Sequence, residues 1–284
     1  MKYSGDRLAK GVLMMVAFSA LTSLLLIAIF VLKEGLPFMV KYGLGNFLFS
    51  SEWEPGEGKY GIYSMIVSSL VVTFGAMLVG APLGIAGAIF LNEFVPKPVM
   101  KVIKPTIELL AGIPSVVYGF IGVMVIAPLI RENLGGPGLS VLCASLILGI
   151  MILPTIMSIS IDALASVPNS YREGALALGS TRWQSVHMVV IKAAKSGIIA
   201  SVILGMGRAI GETMAVIMVA GNSVTIPHSA LEPARTLTAN IALEMGFAIG
   251  MHREALFATG IVLFVMIMIL NSIAMAAMKS RVKK

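Results

Sequence analysis

The sequence predicts an all-α integral membrane protein with six transmembrane helices. Three observations carry that expectation. Of 284 residues, 57% are hydrophobic and only 12% are charged, with a mean hydropathy of +0.94, whereas about a quarter of an ordinary soluble domain is charged. The apolar residues gather into six runs, about 12–32, 62–91, 105–130, 139–161, 196–220 and 256–278, and a bilayer core takes roughly 20 residues per helix. Basic residues concentrate in alternate connections, as the resistance of Lys and Arg to translocation requires.

The charge pattern sets an orientation. The basic set comprises the N-terminus (Lys2, Arg7, Lys10), the 92–104 loop (Lys97, Lys101, Lys104), the 162–195 loop (Arg172, Arg182, Lys192, Lys195) and the C-terminus (Lys279, Arg281, Lys283, Lys284). Segments 33–61, 131–138 and 221–255 carry at least as many acids as bases. Both termini are therefore expected in the cytoplasm of a multi-pass inner-membrane protein. The net charge of +7 reflects this topology, and no nucleic-acid partner is implied. The first run is too long for a removed signal peptide and lacks the small-residue cleavage pattern. Residues 1–61 form a front piece of one span and one external loop, and 62–284 a five-span core.

The loop 33–61 places Phe38, Phe47, Phe49, Trp53 and Tyr60 among Gly, Pro and acids, and is expected to be ordered. The second run is about 30 residues long and carries Pro82 beside Gly80, Gly84 and Gly87. Its length predicts tilt, its proline a kink, and its small-residue spacing a close helix contact. The third run opens at Pro105, an ordinary first helical position, and meets the break Gly112-Ile113-Pro114-Ser115. Backbone broken at membrane depth is tolerated where it is buried in protein or lines a cavity, so Gly112, Pro114 and Ser115 are expected to line a pathway; a structural kink is the alternative. Pro154 is expected to interrupt the fourth run in the same way. Cys143, the only cysteine, lies inside that run, so no disulfide forms within the chain.

Between the fourth and fifth runs stands a short polar helix signal. Pro168-Asn169-Ser170 reads as a start, Glu173 follows Ser170 at capping-box spacing, and an Ala/Leu stretch ends at Gly179. Such a helix suits gripping a partner or, alternatively, is an ordinary surface helix.

The fifth run contains Gly205-Met206-Gly207-Arg208-Ala209-Ile210-Gly211-Glu212. Four residues apart, Arg208 and Glu212 share a face of a continuous helix and are expected to pair. A charge at mid-membrane costs about 3 kcal/mol on insertion scales, so the pair marks either a pathway, with Arg208 attracting an oxyanion, or a packing device. His187, His228 and His252 stand in three different connections and read as solvated surface histidines. There is no cysteine/histidine cluster for a metal and no phosphate-cradling glycine loop. Catalysis in this chain is not expected.

Glu173-Gly174-Ala175, then Gly179, then nine residues to Val189-Val190-Ile191 resembles the EAA loop of binding-protein-dependent ABC importer permeases. Gly174 replaces an alanine of that pattern and Lys192 its exit proline. The strings Glu108–Phe120 and Gly207–Val216 resemble the phosphate permeases of that family, of the C type rather than the sister A type. The resemblance implies a type I ABC importer permease fold with a cytoplasmic coupling helix, in which Glu173, Gly174, Ala175 and Gly179 contact an ATPase and Arg208 and Glu212 line the substrate pathway. It further implies a second, A-type permease subunit, two ATPase subunits that use the ATP, an external phosphate-binding protein, inorganic phosphate as substrate, membrane lipid around the bundle, and no cofactor in this chain. A permease for sulfate, molybdate or phosphonate, and a secondary transporter using the same broken helices, remain alternatives.

Overall fold

The computed structural model of the chain describes residues 2–282, with side-chain surroundings for 9–276. The side chains of Lys2, Asp6, Arg7, Lys279, Arg281, Lys283 and Lys284, which contribute to the expected orientation, lie outside the described residues.

Helix α1 (Lys2–Tyr42) exposes nearly all of its apolar surface over residues 9–30, as a lipid-facing span does. Its C-terminal half packs on the last helix of the chain. After α2 (Leu44–Phe49), the hairpin β1 (Trp53–Glu54) and β2 (Lys59–Tyr60) sets Trp53 opposite Tyr60, with Gly58 in the left-handed region at the turn. Phe38, Phe47, Trp53 and Tyr60 are buried together, so the 33–61 loop is ordered as its aromatics suggested.

Helix α3 (Tyr63–Phe94) runs through Pro82 without interruption. Next comes α4 (Lys97–Ala111), a helix where the sequence suggested a loop and the opening of the third span. Pro96 and Pro98 begin α4 and Pro105 lies inside it, so Pro105 does not start a helix. The third span is Ser115–Asn133, made of α5 (Ser115–Ile121), a π-helical segment Gly122–Ile126 and α6 (Ala127–Leu134). The expected break between α4 and α5 is present. Ile113 precedes a proline, which disfavours helical backbone, and Pro114 is extended at ψ 135°.

Helix α7 (Val141–Ala165) is continuous, contrary to the break expected at Pro154. Pro154 is buried among neighbouring helices, where other groups can meet the carbonyl it frees. Helices α8 (Asn169–Ala177), α9 (Arg182–Ser185), a π segment Val186–Val190 and α10 (Ile191–Ala193) form the cytoplasmic-type hairpin. The chain then bends by 69° into α11 (Lys195–Gly211). The fifth apolar run is divided: α11 ends at Gly211 and α12 (Met214–Val219) begins after Glu212-Thr213. Helices α13 (Leu237–Glu244) and α14 (Gly250–Val282) complete the chain. Among the described residues, five helices are long and apolar enough to span a bilayer, and a sixth is counted if the bent pair around Ala194 is one span.

The core centres on α7, which lies between α3 and α11. Glycines let these backbones approach. A side chain at Gly80 would meet the Gly149 carbonyl at 2.7 Å, and one at Gly205 would meet Ile156 at 2.6 Å. Ser160 and Ser201 share a hydrogen bond of 2.8 Å across α7 and α11, both fully buried.

Candidate functional site

Two breaks meet at one place. The end of α4 leaves carbonyls without helical partners. Gly112 N–H turns back to Leu109, the Tyr118 hydroxyl donates to Leu110 at 3.0 Å, and Arg208 Nη2 donates to Ala111 at 3.1 Å. Arg208 Nη1 also donates to Thr155 Oγ1 on α7 at 2.9 Å. The guanidinium thus sits at the negative end of a helix dipole, holding α4, α7 and α11 together.

The expected Arg208–Glu212 ion pair is absent. Glu212 takes an extended backbone, ψ 131°, which rotates its side chain off the α11 face. Its Oε1 accepts from Ala215 N–H at 3.0 Å, capping α12, and its carbonyl accepts from Thr238 Oγ1 at 2.9 Å. Arg208 therefore makes no ion pair among the described residues. A guanidinium has five donors, and hydrogen bonds within the chain engage its Nη1 and Nη2 groups. Around it the backbone is open. Gly112 and Pro114 are exposed, Ser115 is half-buried, and nothing lies within 4 Å of where a Cβ on Gly207 or Gly211 would stand. Gly205 differs from its neighbours: it is a packing glycine.

The second constellation is the 169–193 hairpin. Helix α8 starts after Pro168 with no side-chain cap, so the Ser170/Glu173 capping box does not form. A capping box opens the next helix instead, between Thr181 and Gln184. Gly179 ends α8 as expected, with φ +83°. Its N–H bonds Leu176 at 2.9 Å and Ser180 N–H bonds Ala175 at 3.3 Å, the paired C-terminal closure that a left-handed glycine permits. No residue of α8 is buried. Tyr171, Leu176, Leu178 and Trp183 are exposed, Leu178 to 90%. Gly174, Ala175, Leu178 and Val189 line a shallow depression of about 360 Å³, with Glu173 exposed in the same helix. An apolar, small-residue surface on a polar hairpin suits a protein partner.

The hairpin is anchored by Glu93, which the charge pattern counts only as the one acid set against the lysines of the 92–104 loop. Glu93, near the end of α3, is only 7% exposed. Arg172 forks onto it, Nε to Oε2 at 3.1 Å and Nη2 to Oε1 at 2.6 Å. Only the spacing of Glu93 from the end of the apolar run could have flagged it.

A third cluster joins the 33–61 loop to the 221–255 segment. Glu244 accepts from Trp53 Nε1 at 2.9 Å and Arg235 Nη1 at 2.6 Å, and lies 2.8 Å from His252 Nε2. His252 is thus packed against Trp53 and Tyr60 rather than solvated, because the carboxylate draws it inward. On the exposed hairpin, Lys59 hydrogen-bonds Glu57 and holds its carboxyl below the usual range; fully exposed pairs of this kind contribute little stability.

The bundle thus carries a half-buried arginine that has no ion pair among the described residues at a double helix break, and an exposed hairpin with small residues on its surface. Residues 80–284 match the family described as "Binding-protein-dependent transport system inner membrane component", and the chain belongs to that family. Its members are membrane subunits that work with ATPase and binding-protein partners.

Among its relatives, the probable ABC transporter permease protein YqgH of Bacillus subtilis is 47% identical over 247 residues, covering 84% of this chain and 80% of that one. The phosphate transport system permease protein PstC of Xylella fastidiosa (strain 9a5c) is 39% identical, covering 78% and 74%. PstC of Haemophilus influenzae is 36% identical over 286 residues, covering 92% and 91%. The fold is shared with the bacterial ABC transporter that imports alginate, with a TM-score of 0.58 at 18% identity over 93% of this chain and 96% of that chain. It is also shared with the MetNI methionine transporter, with a TM-score of 0.57 at 18% identity over 78% and 94%.

Proposed function

We propose that this chain is the C-type permease subunit of an ATP-driven phosphate importer and forms half of the translocation pathway. The observation that carries the reading is Arg208, a guanidinium inside the membrane with no carboxylate partner among the described residues, beside open backbone at two helix breaks. An arginine in that setting favours an oxyanion because its planar fork matches phosphate geometry. Gly112, Pro114 and Ser115 border the same path, and Glu212 supports it by capping α12. The names of the PstC relatives point to the same substrate.

In this reading Glu173, Gly174, Ala175 and Gly179 dock into an ATPase subunit, which hydrolyses the ATP, and this chain holds no cofactor. The other half of the pathway is an A-type permease, and an external phosphate-binding protein delivers the anion. Residues 1–61 are the front piece, 62–284 the transporting core, and both termini are cytoplasmic. Contacts that differ between ATPase states bias the bundle between inward- and outward-facing packing.

The test is uptake by the complete importer in proteoliposomes. ATP-dependent entry of radiolabelled phosphate, unaffected by excess sulfate or molybdate and lost in Arg208→Gln with assembly intact, is the expected result. Uptake driven by an ion gradient without ATP would overturn it.

A further inference from the structure

We propose that Arg172 and Glu93 are positioning residues that make the 169–193 hairpin, α3 and α7 move as one body, carrying displacement at the ATPase-facing surface to the Arg208 break. The proposal rests on reading that hairpin as the coupling surface. It is drawn from where two arginines converge. Besides its fork onto Glu93, Arg172 donates through Nη1 to the Val167 carbonyl at 2.8 Å and through Nη2 to the Leu164 carbonyl at 3.1 Å. One side chain rooted in α8 therefore joins the ends of both α3 and α7. From the other arm of the hairpin, Arg182 donates to the Glu93 carbonyl and covers the Phe94 ring at 5.2 Å. Asn92 Nδ2 adds a bond of 2.7 Å to the same carboxylate.

A buried ion pair is a poor way to gain stability, since desolvation offsets the attraction. A bidentate fork, however, fixes angle as well as distance, where an apolar contact lets helices slide. Beyond the fork the linkage stays stiff. Helices α3 and α7 touch backbone to backbone at Gly80 and Gly149. Thr155, on the same α7, receives the hydrogen bond from Arg208. Directional contacts thus run from the hairpin to the pathway without a flexible connection.

Two readouts on the complete importer test this, in a Cys143→Ala background. Spin labels at Ala177→Cys on α8 and Leu83→Cys on α3 report the distance between hairpin and span by pulsed paramagnetic resonance, with and without ATP trapped by vanadate. The natural pair should give one narrow distribution that does not move between the two states. In Glu93→Gln the distribution should broaden, and phosphate taken up per ATP hydrolysed should fall about tenfold, within the usual range of coupling energies, while the ATPase still co-purifies. Should Glu93→Gln not insert, Arg172→Lys decides by the same readouts, because it keeps the charge and loses the fork. An unchanged distribution, or unchanged uptake per ATP despite a broadened one, overturns the proposal. An importer that moves no phosphate even with the natural pair defeats the substrate reading instead, and the label distances still judge the clamp.

Discussion

Arg208 and Glu212 do different work although the sequence sets them one turn apart. Arg208 closes the end of α4 and reaches Thr155 on α7, whereas Glu212 caps α12. Arg208→Gln should lower phosphate uptake by at least about tenfold, on the scale of a lost charge-assisted hydrogen bond. Arg208→Lys should recover little of it, because an ammonium lacks the fork. Radiolabel uptake measured beside assembly separates this from misfolding. Glu212→Gln keeps an acceptor for Ala215 N–H and should insert and melt normally. Glu212→Ala loses the cap and should cost about 1 kcal/mol, read as a lower melting temperature in detergent. Equal melting of the two variants would remove capping as its role. Replacing both residues by apolar ones should not restore uptake, since the two side chains do not meet.

At the scale of elements, glycines divide by what surrounds them. Gly179 stands at φ +83°, where a Cβ costs about 1–2 kcal/mol. Gly179→Leu should distort the end of α8, and Ala175→Arg should fill the depression beside it. In either case the protein should insert while ATPase stimulation is lost, as measured by hydrolysis in proteoliposomes. Normal ATP-driven uptake in both variants would remove the coupling role. Gly174 has nothing within 4 Å of a Cβ, so Gly174→Ala should be tolerated and should favour the helix by up to about 1 kcal/mol. Gly80→Val is the opposite case. Its side chain would meet the Gly149 carbonyl and Ile152, and yield of assembled complex should collapse. The Glu93–Arg172 pair belongs to the same scale: removing one partner of such a pair typically costs about 3–5 kcal/mol.

For the whole molecule the consequence of the charge pattern is orientation. Ser51 and Ser229 are exposed in the external-type segments, and Ser170 is exposed on the hairpin. Single cysteines at Ser51 and Ser229, with the buried Cys143 replaced by alanine, should react in intact cells with an impermeant thiol reagent. One at Ser170 should react only after permeabilisation. Labelling of position 170 from outside would reverse the topology and with it the coupling role. The cluster around Glu244 joins the 33–61 loop to the segment before α13 and to the start of α14, so it should share the side of Ser51 and Ser229 in that experiment.

Much of this was legible in the chain itself. Apolar run length identifies membrane helices because lipid offers no partner to an unpaired backbone group. The break at Gly112–Pro114 and the stop at Gly179 were equally readable, since proline and glycine act on the backbone locally. Where the outcome depended on distant neighbours, sequence reasoning failed. Pro154 does not break α7, just as Pro82 does not break α3. The helix does break at Glu212, where Thr238, 26 residues away, meets its carbonyl. Spacing alone pairs Arg208 with Glu212, yet a one-residue extension of the backbone turns them apart. Glu93 finds Arg172 across 79 residues, a contact that no local pattern encodes. Local conformational preference is written residue by residue, whereas the partner of a buried charge is chosen by whichever groups the packed helices bring within reach.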